Sequence, residues 1–280
     1  MSDEMTRQFF CAVIVASLLL PHGPLWAAGH ETRAKPRRIV SINLCADQYL
    51  MALADPEQIG ALTQFARDRT MSAGAAEADH LPISRGSAED VLILDPDLLI
   101  SSPSRRAGTR ATLKGRYPTL ELPPAKSYAD IVSQMREVAA AIGQTKRGEA
   151  LIRNMDASLG KIPMKRQPGV AAYYQRRGYL TGAGTLVDEL MARVGLVNLA
   201  TKLGKSALSR ISLEDMTAAQ PDYIIVEDTT ERVTDLGTEM LHHPALDGIK
   251  RLHLPQAWTV CGGPAYVLAA QSLAQQLSKP

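Results

Sequence analysis

The chain has 280 residues, enough for one large domain or two medium ones, and 45% of them are apolar, which allows a sizeable core. Its 31 basic and 29 acidic residues nearly cancel, which argues against a protein that binds nucleic acid through a broad basic face. We therefore expect an ordered globular protein with no nucleic-acid partner.

The first 29 residues predict a cleaved signal peptide. Arg7 precedes an apolar stretch at 9–20, and small residues follow it up to an expected cleavage after Ala27 or Gly29. The stretch is shorter than the roughly 20 residues that span a bilayer. A buried N-terminal helix is the alternative interpretation. Export would place the two cysteines beyond this segment, Cys45 and Cys261, in an oxidising compartment.

Residues 37–126 predict an N-terminal α/β lobe, because short apolar runs alternate with helical patterns. The β-branched run at 39–42 is typical of a strand buried in a parallel sheet, and a helical pattern follows at 48–53. The remaining predicted elements of this lobe are strands at 59–62, 98–100 and 119–122 and a helix at 88–94.

Residues 127–165 predict a helical connection. Ser127 is a suitable N-cap, Gly143 ends the first helical segment, and Thr145 can begin the next one. Residues 166–280 then return to the α/β pattern and predict a C-terminal lobe. Its predicted elements are strands at 170–174, 223–226 and 258–260, a helix at 186–194 and a terminal helix that ends near residue 277.

Two stretches of the chain share one pattern. Residues 87–100 and 212–225 each begin with Ser-x-Glu-Asp, continue through a helical segment, and reach Pro-Asp and a short apolar run, at a constant offset of 125 residues. The repeat predicts the same helix–turn–strand unit once in each lobe. Two similar α/β lobes favour a ligand cleft between them, at the carboxyl ends of their strands.

The order and spacing of several motifs resemble the periplasmic substrate-binding proteins of ABC importers for cobalamin and ferric siderophores. These motifs are R-I-V-S-I-N-L-C-A-D-Q at 38–48, T-G-A-G-T-L-V-D-E-L at 181–190, G-L-V-N-L-A at 195–200 and both copies of the repeat. The resemblance implies two α/β lobes joined by one long helix, with the ligand between the lobes. It also implies a monomer in the periplasm, without an intrinsic cofactor, whose partner is an ABC permease dimer in the inner membrane.

The same resemblance assigns a role to the third residue of each repeat. Glu89 and Glu214 match the positions at which such proteins present one carboxylate per lobe to arginines of the permease. Two separated carboxylates suit a partner with a pseudo-twofold axis. The alternative is that both are ordinary first-turn glutamates favoured by the helix dipole.

The loops that follow the predicted strands contain flat aromatic side chains and arginines, which suit a large planar or anionic chelate. We therefore predict a metal chelate as ligand, either a ferric siderophore, cobalamin or heme, and the arginine count favours an iron chelate. The alternative for each arginine is a solvated loop residue. The predicted ligand-binding residues are Asn43, Cys45, Arg67, Arg105, Tyr174, Arg176, Arg177 and Trp258.

Three alternatives stay open for Cys45 and Cys261: a disulfide that ties the lobes, coordination of the metal of a ligand, or burial as small apolar residues. A metal site made by the protein alone is not expected, because the adjacent His242 and His243 would point in different directions on a helix. The sequence also contains no G-x-S-x-G, H-E-x-x-H or phosphate-loop motif, which argues against an enzyme. A direct metal-ion binding protein or metal chaperone, or an extracytoplasmic ligand sensor, remains the alternative function.

Overall fold

A computed structural model describes residues 35–103, 105–163 and 169–279, so the predicted signal peptide lies outside the described residues. The strands are β1 Ile39–Ser41, β2 Ile59–Thr63, β3 Ile83–Ser84, β4 Leu98–Ser101, β5 Thr119–Glu121, β6 Gly169–Gln175, β7 Tyr179–Thr181, β8 Leu196–Asn198, β9 Leu208–Arg210, β10 Tyr223–Glu227 and β11 Lys250–Leu254. The helices are α1 Leu44–Leu53, α2 Ala88–Leu94, α3 Ala107–Leu113, α4 Tyr128–Ala141, α5 Thr145–Leu159, α6 Leu186–Arg193, α7 Leu199–Lys202, α8 Leu213–Ala219, α9 Leu236–Glu239 and α10 Ala265–Ser278.

The strands form two sheets, one in each predicted lobe. The first sheet has the order β3-β2-β1-β4-β5, and all of its pairings are parallel. The second has the order β11-β10-β6-β7-β9, with β8 also pairing with β6. Its β11, β10, β6 and β8 are parallel, whereas β7 and β9 are antiparallel additions. The predicted α/β fold of two similar lobes is confirmed.

Buried apolar side chains of the described residues form a core that the two lobes share. This core contains residues of β1 and α1 from the first lobe, of β6, β11 and α10 from the second, and of α4 and α5 between them. Two smaller clusters cover the outer faces of the sheets, one around Val40 and Leu99 and the other around Ala172 and Ile224. The shared core places the two sheets on either side of the connecting helices.

The helical connection consists of two helices rather than one long helix. Gly143 has a left-handed backbone, with φ of 72°, between the end of α4 and the start of α5. Side-chain pairs from Arg136 to Glu149 and from Tyr128 to Asp156 show that α5 runs antiparallel to α4. Glycine adopts this φ without a steric penalty, so the chain turns at the residue where the sequence ends the first helical segment.

The repeated stretch has the same local structure in both lobes. Ser87 and Ser212 cap α2 and α8 by accepting a hydrogen bond from the backbone N–H three residues later. Both helices end in a left-handed residue, Asp95 with φ of 44° and Gln220 with φ of 41°. The two stretches therefore share the residues that begin and end a helix, as well as their sequence pattern.

The Pro-Asp of each repeat also has a structural purpose. The carboxylate of Asp97 accepts hydrogen bonds from the backbone N–H of Arg37 and Arg38 at 2.7 and 3.0 Å, just before β1. The carboxylate of Asp222 accepts one from the N–H of Val170 in β6 at 2.7 Å. Asp97, which precedes β4, thus fixes the beginning of the neighbouring strand β1. Asp222, which precedes β10, fixes the beginning of the neighbouring strand β6.

The predicted last strand at 258–260 is wrong. The last strand is β11, and Pro255 separates it from a single 3₁₀ turn at Gln256–Trp258. In β11 the residues Leu252 and Leu254 are buried, and the polar residues Arg251 and His253 alternate with them. This half-buried alternation is a strand signal that is easily overlooked when a short apolar run stands nearby.

None of the described helices is long and apolar enough to span a membrane.

Candidate ligand-binding cleft

A pocket of about 380 Å³ lies where the carboxyl ends of β1, β2 and β4 approach the segment that leads into α10. The first lobe contributes most of its lining, and the second contributes Val260 and Cys261. Its position at the ends of parallel strands is the usual place for a ligand in an α/β sheet. The lining residues are Ile42, Asn43, Leu44, Cys45, Thr63, Phe65, Met71, Arg105, Arg106, Val260 and Cys261.

Cys45 and Cys261 form a disulfide in this pocket, with their Cα atoms 5.1 Å apart. Of the three alternatives left open by the sequence, the structure therefore has the bond that joins the lobes. Cys45 stands in the first turn of α1, whose N-cap is Asn43. The side-chain oxygen of Asn43 accepts hydrogen bonds from the N–H groups of Cys45 and Ala46 at 2.9 and 3.1 Å. The cap thus fixes the direction in which Cys45 faces the second lobe.

Two arginines make the pocket cationic. Arg105 is exposed, and Arg106 is half-buried, donates to the carbonyl oxygen of Gly86 at 3.2 Å and has a left-handed backbone with φ of 49°. Phe65 of the first lobe and Val260 of the second line the same pocket and expose 41% and 37% of their surface. These exposures are high for large apolar side chains, so the pocket combines positive charge with apolar surface.

A buried carboxylate lies behind the pocket. Asp47 of α1 is fully buried and accepts hydrogen bonds from the backbone N–H and the hydroxyl of Thr63 in β2, the latter at 2.5 Å. Burial raises the pKa of Asp47 to about 6, against the lowering effect of its hydrogen bonds from Ser41 and Thr63 and of the charge of Arg106. Asp47 therefore ties α1 to β2 and balances part of the positive charge.

A second polar network lies at the carboxyl ends of β6 and β10 in the other lobe. The hydroxyl of Tyr173 and the amide of Gln175 both donate to the buried carboxylate of Glu227, at 3.1 and 2.9 Å. Thr259 bonds to the same tyrosine hydroxyl, and burial raises the pKa of Tyr173 well above its usual value. The network connects the strand ends to the segment that carries Val260 and Cys261.

The prediction that Tyr174 lines the cleft is wrong. Its side chain is fully buried in the cluster on the outer face of the second sheet. β6 continues to Gln175, and successive side chains of a strand face opposite sides of the sheet. Tyr174 therefore faces away from Tyr173, into the packed interior.

Arg67 also has a structural task in place of the predicted ligand contact. Its guanidinium donates to the carbonyl oxygens of Ala78, Asp79 and Leu81, at 3.1, 3.2 and 2.8 Å. These oxygens belong to the 3₁₀ turn Glu77–His80 and the residue after it. Because its donors face this turn, Arg67 holds the loop between β2 and β3 and does not line the pocket.

The remaining predicted ligand residues lie outside the pocket as well. Arg176 forms an ion pair with Asp235, and Arg177 is exposed while its carbonyl oxygen accepts a hydrogen bond from Arg210. Trp258 is half-buried and packs against the shared core, two residues before Val260. Of the predicted set, the structure brings together Asn43, Cys45 and Arg105.

The sequence prediction missed the apolar part of the pocket. Phe65 and Met71 follow β2, at the loop after a predicted strand, and could have been found from that position alone. Val260 lies in the expected strand at 258–260, whereas the structure places it in the segment after a 3₁₀ turn, where it lines the pocket. Arg106 follows β4 in the same way and is absent from the predicted set.

Glu89 and Glu214 occupy equivalent exposed positions at the starts of α2 and α8. The backbone N–H of each glutamate and the hydroxyl of its capping serine, Ser87 or Ser212, lower the pKa of both carboxyls below the usual value. Both side chains are therefore charged throughout the neutral range. The structure presents one exposed carboxylate on each lobe.

A family model described as periplasmic binding protein matches residues 39–251, most of the chain. The chain belongs to the periplasmic binding protein family. The description of this family is of binding proteins of the periplasm, as opposed to enzymes. The cobalamin-binding protein of Halobacterium salinarum is 23% identical over 213 residues, which covers 71% of this chain. The chain spans 56% of the length of that curated relative.

Solved structures of periplasmic binding proteins share the fold. The periplasmic heme binding protein HutB of Vibrio cholerae superposes with a TM-score of 0.73 at 18% identity, over 86% of this chain and 99% of that one. The periplasmic heme-binding protein RhuT of Roseiflexus sp. RS-1 gives a TM-score of 0.68 at 24% identity, over 85% and 97%. At these identities the likeness supports the two-lobe fold alone.

Proposed function

We propose that this periplasmic binding protein is the solute-binding component of an ABC importer and that it captures a metal chelate in the cleft between its lobes. The observation that carries the proposal is the pocket in which Arg105 and Arg106 stand beside the exposed apolar surface of Phe65 and Val260. Positive charge next to apolar surface suits a ligand that is anionic at one edge and apolar elsewhere. The names of the relatives, which bind cobalamin or heme, support the same class of ligand.

The pocket favours a chelate whose metal already has all of its ligands. No histidine or tyrosine is found among the described residues that line it, and the cysteines there are bonded to each other. These are the side chains that most often coordinate the metal of an incoming ligand. The arginines recognise anionic oxygen atoms well, because a guanidinium matches the geometry of a carboxylate. Among the candidates, an anionic ferric siderophore agrees best with this lining.

The disulfide sets a limit on the movement of the lobes. Cys45 and Cys261 line the pocket and join its two sides, so any opening must occur around that bond. A volume of about 380 Å³ is at the lower end of the range for small-molecule sites. We therefore propose that the chelate enters from the side of Arg105, which is exposed, and that part of it stays in contact with solvent.

The delivery step would use Glu89 and Glu214. Their positions at equivalent helix starts give one charged carboxylate per lobe, and their lowered pKa keeps them ionised. Such a pair can contact two cationic sites of a dimeric permease at once, and charge complementarity of this kind speeds association. The alternative, that both are ordinary first-turn glutamates, makes the opposite prediction for uptake.

Quenching of Trp258 fluorescence by a panel of a ferric siderophore, cobalamin and heme tests the ligand proposal. We expect quenching by the siderophore, and we expect Arg105→Ala and Arg106→Ala each to weaken binding by about tenfold, the value of a charge-assisted hydrogen bond. Arg116→Ala is the matched control, because this exposed arginine precedes β5 and so lies at the opposite end of the first sheet. If none of the three chelates binds, or if all three variants bind alike, the proposed site is wrong.

A further inference from the structure

Asp228, Glu231 and His253 bring three metal-ligating atoms together in the second lobe. One carboxylate oxygen of each acidic residue and one ring nitrogen of the histidine all lie within 4.8 Å of one another. The Nδ1 atom of His253 is 3.1 Å from an Oε atom of Glu231. That contact involves Glu231 and His253 alone, and it does not account for the carboxylate of Asp228 at the same point.

The backbone explains why the two carboxylates face the same point. Asp228–Thr230 is a 3₁₀ turn that directly follows β10, and the N–H of Glu231 closes it on the carbonyl oxygen of Asp228 at 3.3 Å. Residues three apart in a 3₁₀ turn lie on the same side, one above the other. The side chains of Asp228 and Glu231 are therefore directed to a common side by the turn itself.

The histidine is held by a separate element. In the parallel ladder, His253 of β11 is paired with Val226 of β10, two residues before the turn. The side chain of Gln276 in α10 also clamps its backbone, since it accepts from the N–H of His253 and donates to its carbonyl oxygen, both at 2.8 Å. The three ligands are thus positioned by hydrogen bonds of a turn, a strand and a helix of the protein itself.

We propose that Asp228, Glu231 and His253 bind a divalent transition-metal ion of the Zn²⁺ class. One imidazole nitrogen and two carboxylate oxygens are a ligand set that suits Zn²⁺, with one position left for water or an external ligand. Donor atoms at about 2.1 Å from a tetrahedral ion are about 3.4 Å apart, close to the observed 3.1 Å between Glu231 and His253. The side chains of these two residues are 53% and 46% exposed, so an ion can enter from solvent.

The site lies at the rim of the space between the lobes. Asp228 also lines a cavity of about 210 Å³ together with Arg69 and Thr70 of the first lobe. Arg69 is turned toward Asp79, with 3.9 Å between their charged groups, so its charge is partly balanced. An ion bound to Asp228 would therefore stand beside the cleft and apart from the pocket of Arg105 and Arg106.

Calorimetric titration of the chelator-treated protein with ZnCl₂ tests the proposal. We expect one Zn²⁺ per chain, with a dissociation constant that rises by at least about tenfold in both Asp228→Asn and His253→Gln. His80→Gln is the matched control, since it removes an exposed histidine of the first lobe and should leave the affinity unchanged. Co²⁺ bound to the native protein should show the visible d–d absorbance that is typical of a low coordination number. This absorbance should be absent in His253→Gln.

Binding of Zn²⁺ that is equal in the native protein, Asp228→Asn and His253→Gln would overturn the proposal. A loss of affinity that is as large in His80→Gln would overturn it too, because it would show nonspecific binding to surface histidines. Thermal melts of each variant separate loss of a ligand from loss of the fold. Chelate binding measured by Trp258 fluorescence without free metal is expected to be unaffected, so the two proposals fail separately.

Discussion

Removal of the disulfide between Cys45 and Cys261 should lower the stability of the protein substantially. The bond closes a loop of 216 residues and so reduces the conformational entropy of the unfolded chain. This loss stabilises the folded state by about 5 kcal/mol at 25 °C. Measured losses for native disulfides are typically about 2–5 kcal/mol, so the entropy figure is an upper value. We predict that the double substitution Cys45→Ser, Cys261→Ser lowers the free energy of unfolding by an amount in this range.

Thermal unfolding of the mature protein measures this effect. For a chain of this size, each kcal/mol shifts the Tm by about 2–4 °C, so the Tm should fall by roughly 4–20 °C. A thiol reductant should lower the Tm of the native protein and leave that of the double variant unchanged, which is the internal control. If the native protein and the variant melt within about 2 °C of each other and the reductant has no effect, the two cysteines are not bonded in the folded protein.

Three further substitutions test local energetics. Because burial raises the pKa of Asp47 to about 6 from an ordinary value of 3.8, the folded state binds more protons between these values, so the free energy of unfolding should fall by about 2 kcal/mol as the pH rises from 4 to 6. Urea unfolding at both pH values should show a smaller fall in Asp47→Asn, and an unchanged fall would contradict the assigned cause. Gln220→Gly should stabilise the protein by up to about 1 kcal/mol, because φ of 41° is unfavourable for glutamine. Asp95→Gly should gain less, since it also removes the ion pair with Arg38, and equal gains in a melting experiment would refute this reasoning.

Signals that act within a few residues were predicted well from the sequence. The capping residues Ser87 and Ser212 fix the starts of α2 and α8, so both helices begin where the repeat indicates. Gly143 likewise marks the break between α4 and α5, because only its local backbone conformation is needed. The two-lobe fold follows from such signals together with the alternation of strands and helices.

The candidate site was predicted only in part, because it depends on contacts between distant residues. Strand β6 extends one residue beyond the expected 170–174 at each end, and the strand pattern alone does not tell which of its two faces meets the other lobe. Packing against distant elements puts Tyr173 in the core between the lobes and Tyr174 in the cluster on the outer face. The donors of Arg67 are taken by carbonyl oxygens more than ten residues away, which no local pattern reveals. The pairing of Cys45 with Cys261 likewise depends on how the lobes meet.

Uptake with reversed charges at Glu89 and Glu214 tests the central claim most directly. Cells that carry Glu89→Lys, Glu214→Lys should take up an iron-radiolabelled ferric siderophore at least about tenfold more slowly, while the purified variant binds the siderophore as the native protein does. Glu57→Lys, Glu239→Lys is the matched control, because it reverses one exposed glutamate in each lobe and should leave uptake unchanged. Unchanged uptake in the first variant, with binding intact, would contradict the account of a binding protein that presents its cargo through one carboxylate on each lobe.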